Sequence, residues 1–135
     1  MIRRRLYIGS WTCDFYFCPE GYDEKALLKA LAYIGAPRAH MRRAQRLMES
    51  EQPNSGFTYS DSSTHRIISV IGPTTSGAEF IDSFVHELRH AVNDIASALG
   101  YRLDAEVPSY VAGDAARDLA EIVCELGCSH CHRAK

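Results

Sequence analysis

Ser76-Gly77-Ala78-Glu79-Phe80-Ile81-Asp82-Ser83-Phe84-Val85-His86-Glu87-Leu88-Arg89-His90-Ala91-Val92 reads as the start and middle of one long helix. Ser76 and Glu79 have the spacing of a capping box, with serine reaching forward to a free amide and glutamate reaching back. Phe80, Ile81, Phe84, Val85, Leu88, Val92, Ile95 and Leu99 recur at helical spacing, and Gly100 is the natural stop. Inside the stretch lies His86-Glu87-Leu88-Arg89-His90, an HExxH pattern. Four residues advance a helix by about 400°, so the two imidazoles differ by about 40° in azimuth and one turn in height. Both can therefore reach one zinc ion at roughly 2.0–2.1 Å. Glu87 is turned away from the pair by about 100°. That makes it a neighbour of the metal, able to take a proton from a water that zinc has made acidic. Leu88, with Phe84 and Val85, is expected to look towards the core.

Working outward, Phe57-Thr58-Tyr59 and Arg66-Ile67-Ile68-Ser69-Val70-Ile71 predict a hairpin around the polar loop Asp61-Ser62-Ser63-Thr64, ended by Gly72-Pro73. At the opposite end, Leu6-Tyr7-Ile8 and Asp14-Phe15-Tyr16-Phe17 predict strands joined across Gly9-Ser10 and closed by Pro19. Asp23 is the expected cap of a helix with Leu27, Leu28, Leu31 and Ile34 on one stripe, stopped by Gly35. Pro37 can open a second helix running to about Ser50, with Met41, Ala44, Leu47 and Met48 opposite Arg38, Arg42, Arg43 and Arg46. A last helix is expected over about residues 105–126, with Asp104 as cap, Pro108 tolerated in the first turn and Gly127 at the end. The expectation is an α+β fold: a small antiparallel sheet with helices on one side, the HExxH helix beneath it and the following helix crossing. No linker or repeat divides the chain, so residues 1–135 are expected as a single domain.

Composition narrows the function. The chain is 46% hydrophobic and 24% charged, ordinary values for a globular protein. Fifteen Lys and Arg against seventeen Asp and Glu give a net charge of -2, which argues against a general polyanion binder. The arginines of the second helix, and Arg3, Arg4 and Arg5, are read as solvated faces, so nucleic acid is not an expected partner. No apolar run approaches the roughly 18 residues that span a bilayer. The basic start is followed by a stretch broken at Ser10, Thr12 and Asp14, without the apolar core of a signal peptide. The expected compartment is the cytoplasm. Five cysteines, Cys13, Cys18, Cys124, Cys128 and Cys131, cannot all pair internally.

Residues 84–114 resemble the core of zinc-dependent metallopeptidases of the thermolysin type, the gluzincins, and particularly their very small single-domain members. The resemblance covers about 70 residues from the hairpin to the last helix; the first 50 residues match no family. It implies a minimal zincin-like fold with one zinc ion held by His86, His90 and a glutamate from the next helix. The best match for that glutamate is Glu106, within Asp104-Ala105-Glu106-Val107-Pro108-Ser109-Tyr110-Val111-Ala112-Gly113. The gap from His90 is shorter than in large members, and Asp114 and Asp82 remain alternatives. Glu87 is implied as general base and then as proton donor to the leaving amine. The metzincin extension is absent, since Ala91-Val92-Asn93-Asp94 follows His90. A deformylase does not fit either, for lack of a cysteine motif between Cys18 and Cys124.

In this class an upstream strand edges the cleft and pairs with extended peptide, which points to Arg66–Ile71. Asn93, Asp94, Asp114 or Asp118 can orient the imidazoles. Tyr110, ahead of Tyr101, Tyr59 and His65, can donate to a developing oxyanion. The cysteines leave three readings open: reduced thiols, a second structural zinc site drawing on Cys13, Cys18, Cys128 and Cys131, or a Cys128–Cys131 disulfide. The expected activity is zinc-dependent endopeptidase hydrolysis of a peptide or protein substrate. The alternative is a non-catalytic zinc-binding or interaction module on the same fold, followed by a nucleic-acid-associated regulator.

Overall fold

A computed structural model describes residues 1–128. The described chain forms β1 (Ile2–Ile8), β2 (Trp11–Phe17), α1 (Glu24–Tyr33), α2 (Arg38–Glu49), β3 (Gly56–Asp61), β4 (Arg66–Ile71), α3 (Gly77–Ala98), α4 (Glu106–Asp118) and α5 (Ala120–Gly127). The four strands make one sheet in the order β1-β2-β4-β3. The class is α+β, a small sheet packed on helices, as expected.

The sheet and its covering differ from the expectation. The sheet is mixed: the β1–β2 and β3–β4 hairpins are antiparallel, but β2 and β4 pair in parallel, from Thr12 opposite Arg66 to Phe17 opposite Ile71. A parallel pair needs a long crossover, and α1 and α2 supply it. Helices therefore cover both faces rather than one. The sign of this was in the strands. All residues of β4 after Arg66 are buried, as is nearly all of β2, the near-continuous apolar pattern of strands covered on both sides.

Alternation along the strands divides the interior in two. Leu6, Cys13, Phe15, Phe17, Ile67 and Ile71 face α3 and meet its stripe Phe80, Phe84, Leu88, Val92 and Ile95. Tyr16, Ile68 and Val70 face the other way, against Leu27, Leu31 and Ile34 of α1 and Ala44 and Met48 of α2. Each large aliphatic or aromatic side chain so covered contributes roughly 1.5–3 kcal/mol. Val85 departs from the expected inward stripe and is exposed.

Local signals act where they stand in the chain. The Asp23 side chain accepts from the Ala26 amide at 3.1 Å, and the Ser76 side chain from the Glu79 amide at 3.1 Å. Helix α3 ends at Ala98 and is capped by Leu99, with Gly100 at φ +80. The last helix does not run through. It breaks at Leu119 into α4 and α5, and Asp104 is no cap, since Arg102 holds its carboxylate at 2.8 Å while Ala105 occupies the capping position. None of the described helices is long and apolar enough to cross a membrane.

Candidate functional site

The HExxH residues lie in the middle of α3, on the flank that leans towards edge strand β3. His86 and His90 are exposed, and their Nε2 atoms stand 3.2 Å apart with the rings nearly perpendicular at 75°. Two nitrogens on one tetrahedral zinc lie about 3.3 Å apart, so the pair has the spacing of two ligands on a shared cation. In the metal-free chain the same distance suits an N–H of one ring donating to the other.

Glu87, in the same turn, is directed at the sheet. It is only 4% exposed, and its Oε1 accepts from the Thr58 hydroxyl at 2.9 Å. The Thr58 oxygen is in turn 3.0 Å from the Ser69 hydroxyl, so Ser69, Thr58 and Glu87 form a short polar chain running from β4 through β3 into α3. Burial pushes the Glu87 carboxyl above its ordinary value, against the opposing pull of the Thr58 hydrogen bond and the nearby imidazoles. Gly56 makes the approach possible. A Cβ there would stand 2.4 Å from the Val70 carbonyl oxygen and 3.3 Å from Glu87 Oε2. His86 and Glu87 open on one cavity of about 230 Å³, walled by the turn 54–56 and by Asp82 and Ser83. The arrangement places a titratable carboxyl beside two converging imidazoles, at the wall of a cleft.

The other candidates fall elsewhere. Glu106 begins α4 and is exposed. Among the described residues no third His, Cys, Asp or Glu joins the imidazole pair as a metal-binding group. Asp82 lines the same cavity one turn before His86, but it too does not join the pair in a metal-binding group. Asp114 is exposed and 3.5 Å from Arg117, which also approaches Asp118 at 3.9 Å. Asn93 accepts from Arg89 at 3.0 Å, and Asp94 from the Ser60 hydroxyl of β3. These four candidate orienting groups are thus engaged with other partners.

Of the candidate oxyanion donors, Tyr110 is 68% exposed and Tyr101 is also exposed. Tyr59 packs with the opposite core and lies 5.1 Å from His40. His65 stacks on Trp11 at 4.8 Å and bonds Ser10.

The proposed rail and the proposed cysteine site both need correction. Arg66–Ile71 is interior, paired on both sides, so it has no free edge to offer a peptide; the edge beside α3 belongs to Gly56–Asp61. Cys13 and Cys18 are buried in the two different cores, on opposite faces of the sheet, and cannot share a cation. Burial raises their thiols to about 12 and about 11. Cys124 is exposed and Cys128 half-buried, while Cys131 lies outside the described residues.

Thr58, Ser69 and Gly56 were missed from sequence. Their signal is Ser69, a polar residue inside the apolar run 67–71, opposite Thr58 in the hairpin register. No protein-family model, curated protein or solved structure matches the chain.

Proposed function

We propose that the chain is a zinc-dependent peptide hydrolase, with His86 and His90 as the fixed half of the metal site and Glu87 as the acid–base residue. The reading rests on one observation: the Nε2 atoms of His86 and His90 converge to 3.2 Å, and beside them Glu87, a buried carboxyl of raised pKa, opens with His86 on one cavity. Zinc, when bound, supplies Lewis-acid activation of water and of the scissile carbonyl. Glu87 takes the proton of the attacking water and returns it to the leaving amine. Thr58 occupies Oε1, which leaves Oε2, beside Gly56, to carry that proton. The third protein ligand is assigned to Glu106 on the resemblance alone, and it requires the start of α4 to close on α3. The free edge of β3 is the strand available to an extended substrate. A cytoplasmic setting fits the buried free thiols Cys13 and Cys18.

Metal analysis of wild type, His90→Ala and Glu106→Ala tests the site, with one zinc per chain expected in wild type and loss in both variants. Zinc retained in Glu106→Ala moves the third ligand elsewhere; zinc retained in His90→Ala removes the proposal. A digest of a peptide library by the zinc-loaded protein tests turnover. The second reading, a non-catalytic zinc-binding or interaction module, is favoured by the lack of an assembled third ligand among the described residues. Zinc binding without any cleavage would select it.

A further inference from the structure

The opposite face of the sheet carries a second concave site, independent of the histidine pair. Strand alternation brings Arg3 and Arg5 of β1, Asp14 and Tyr16 of β2, and Arg66 and Ile68 of β4 to the face that α1 covers. Helix α1 presents Ala26, Lys29, Ala30 and Tyr33 towards the groove, an i, i+3, i+4, i+7 stripe in which two of the four side chains are alanines. Small side chains where the helix passes the sheet leave a groove of about 330 Å³. Tyr16, Ile34 and Ile68 give it an apolar floor.

The charges around that floor are one-sided. Arg3, Arg5, Lys29 and Arg66 meet a single carboxylate, Asp14, which is buried. Asp14 holds Arg5 in a two-pronged pair, Nε to Oδ1 at 2.7 Å and a terminal nitrogen to Oδ2 at 3.0 Å. It also draws Arg66 to 3.6 Å. Those two guanidinium groups are thereby fixed in place while part of each stays open to solvent. Arg3 and Lys29 pair with no carboxylate among the described residues. Tyr33, 81% exposed, stands at the rim with the Arg66 guanidinium 5.9 Å from its ring centre. In a chain of net charge -2, a local excess of three positive charges around an apolar floor is a concentrated field for an anion.

We propose that this groove binds a small organic phosphate bearing a flat ring, a ligand with the size and chemistry of a mononucleotide. Held guanidinium groups suit the paired oxygens of a phosphate, and free Lys29 and Arg3 supply the remaining charge. The Tyr33 ring and the apolar floor take the flat ring, where stacking against an exposed aromatic costs little ordering. The volume lies at the small end of ligand pockets, too small for a dinucleotide.

Titration of the purified chain with AMP, adenosine and inorganic phosphate, followed by calorimetry and by amide chemical shifts, tests the proposal. AMP is expected to bind more tightly than either part, with shifts confined to β1, α1 and the start of β4, and to weaken as salt rises. Lys29→Ala and Arg3→Ala should each weaken AMP about tenfold, and Lys29→Glu more. Tyr33→Ala should weaken AMP but leave inorganic phosphate unchanged. All three side chains, Arg3, Lys29 and Tyr33, are exposed, and an unaltered melting curve confirms the fold of each variant. Adenosine binding as tightly as AMP, wild-type AMP affinity in Lys29→Glu, or no AMP binding at millimolar concentration would each overturn the proposal. So would binding of a short RNA without AMP binding, which would make the groove part of a polymer track.

Discussion

Glu87 and Asp14 are equally buried, at 4% exposure each, on opposite faces of the same sheet, yet their surroundings are opposite. Asp14 is flanked by two arginines, one of them bonded through both oxygens. Its charge is neutralised on the spot, and it serves to hold those arginines. Glu87 has no cation bonded to it; its partner is a neutral hydroxyl, with two imidazoles nearby. A buried acid without a fixed counter-charge is pushed towards its protonated form, as burial pushes the Glu87 carboxyl upward, whereas the Asp14 carboxylate is committed to two guanidinium partners. Burial alone does not separate structural from chemical carboxylates. The partner does.

Exchanging each acid for a neutral side chain should therefore give opposite phenotypes. Glu87→Gln keeps the shape and the Thr58 contact, so zinc content and folding should be retained, the latter within about 1 kcal/mol. Hydrolysis by the zinc-loaded enzyme should drop about 10²–10⁴-fold, read as kcat on a cleaved library peptide. Unaltered turnover would remove Glu87 from the chemistry. Asp14→Ala should do the reverse. Hydrolysis per folded molecule should survive, while denaturant unfolding should show a loss of about 2–3 kcal/mol, because two half-exposed guanidinium groups lose their shared anion. An Asp14→Ala protein as stable as wild type would show that the clamp is not structural.

The two faces were also unequally legible. Helix α3 was readable to within a residue because its cap, its apolar stripe and its stop all lie inside its own sequence. The HExxH pair converges for the same local reason, helical geometry at a spacing of four. What lay beyond reach depends on partners distant in the chain. Thr58 and Ser69 meet Glu87 only once β3 and β4 are placed over α3, and the parallel β2–β4 pairing that sets those positions follows from a crossover of two helices. The same non-local pairing hid the interior position of Arg66–Ile71 and put Cys13 and Cys18 on opposite faces. Arg3 and Arg5 look like a solvated run in one dimension. Only the register with Asp14 and Tyr16 shows that they line a groove.

A smaller effect sharpens the contrast on the α3 side. Thr58→Val removes the donor to Glu87 Oε1 and leaves Ser69 facing a methyl group, at an expected cost of about 1–2 kcal/mol in the metal-free protein. Thr58→Ser should restore most of it. Because the two side chains act on one interaction, Thr58→Val and Glu87→Ala, each of which removes it, should together cost less than the sum of the single changes. Strict additivity would mean that the hydroxyl and the carboxyl are not coupled.

The smallest expected effect compares the faces through their cysteines. Cys13 lies on the α3 side with its thiol raised to about 12, chiefly by burial; Cys18 lies on the α1–α2 side, raised to about 11 by the same cause. Both folded values exceed the ordinary thiol value of about 8.5. Between that value and the raised ones the native state holds protons that the unfolded chain has lost, so stability should decline as pH climbs from about 9 towards 12. Below about pH 8.5 both thiols are neutral in either state, and the contribution is flat. Cys13→Ala should remove its share of the alkaline slope up to the higher pH, and Cys18→Ala up to the lower. At pH 8 a thiol reagent should label exposed Cys124 rapidly in the folded chain and spare Cys13 and Cys18, since neither is ionised nor reachable. Labelling of Cys18 at a rate near that of Cys124 would mean that the α1–α2 layer opens far more often than the α3 layer, and the two faces would then differ in dynamics as well as in charge.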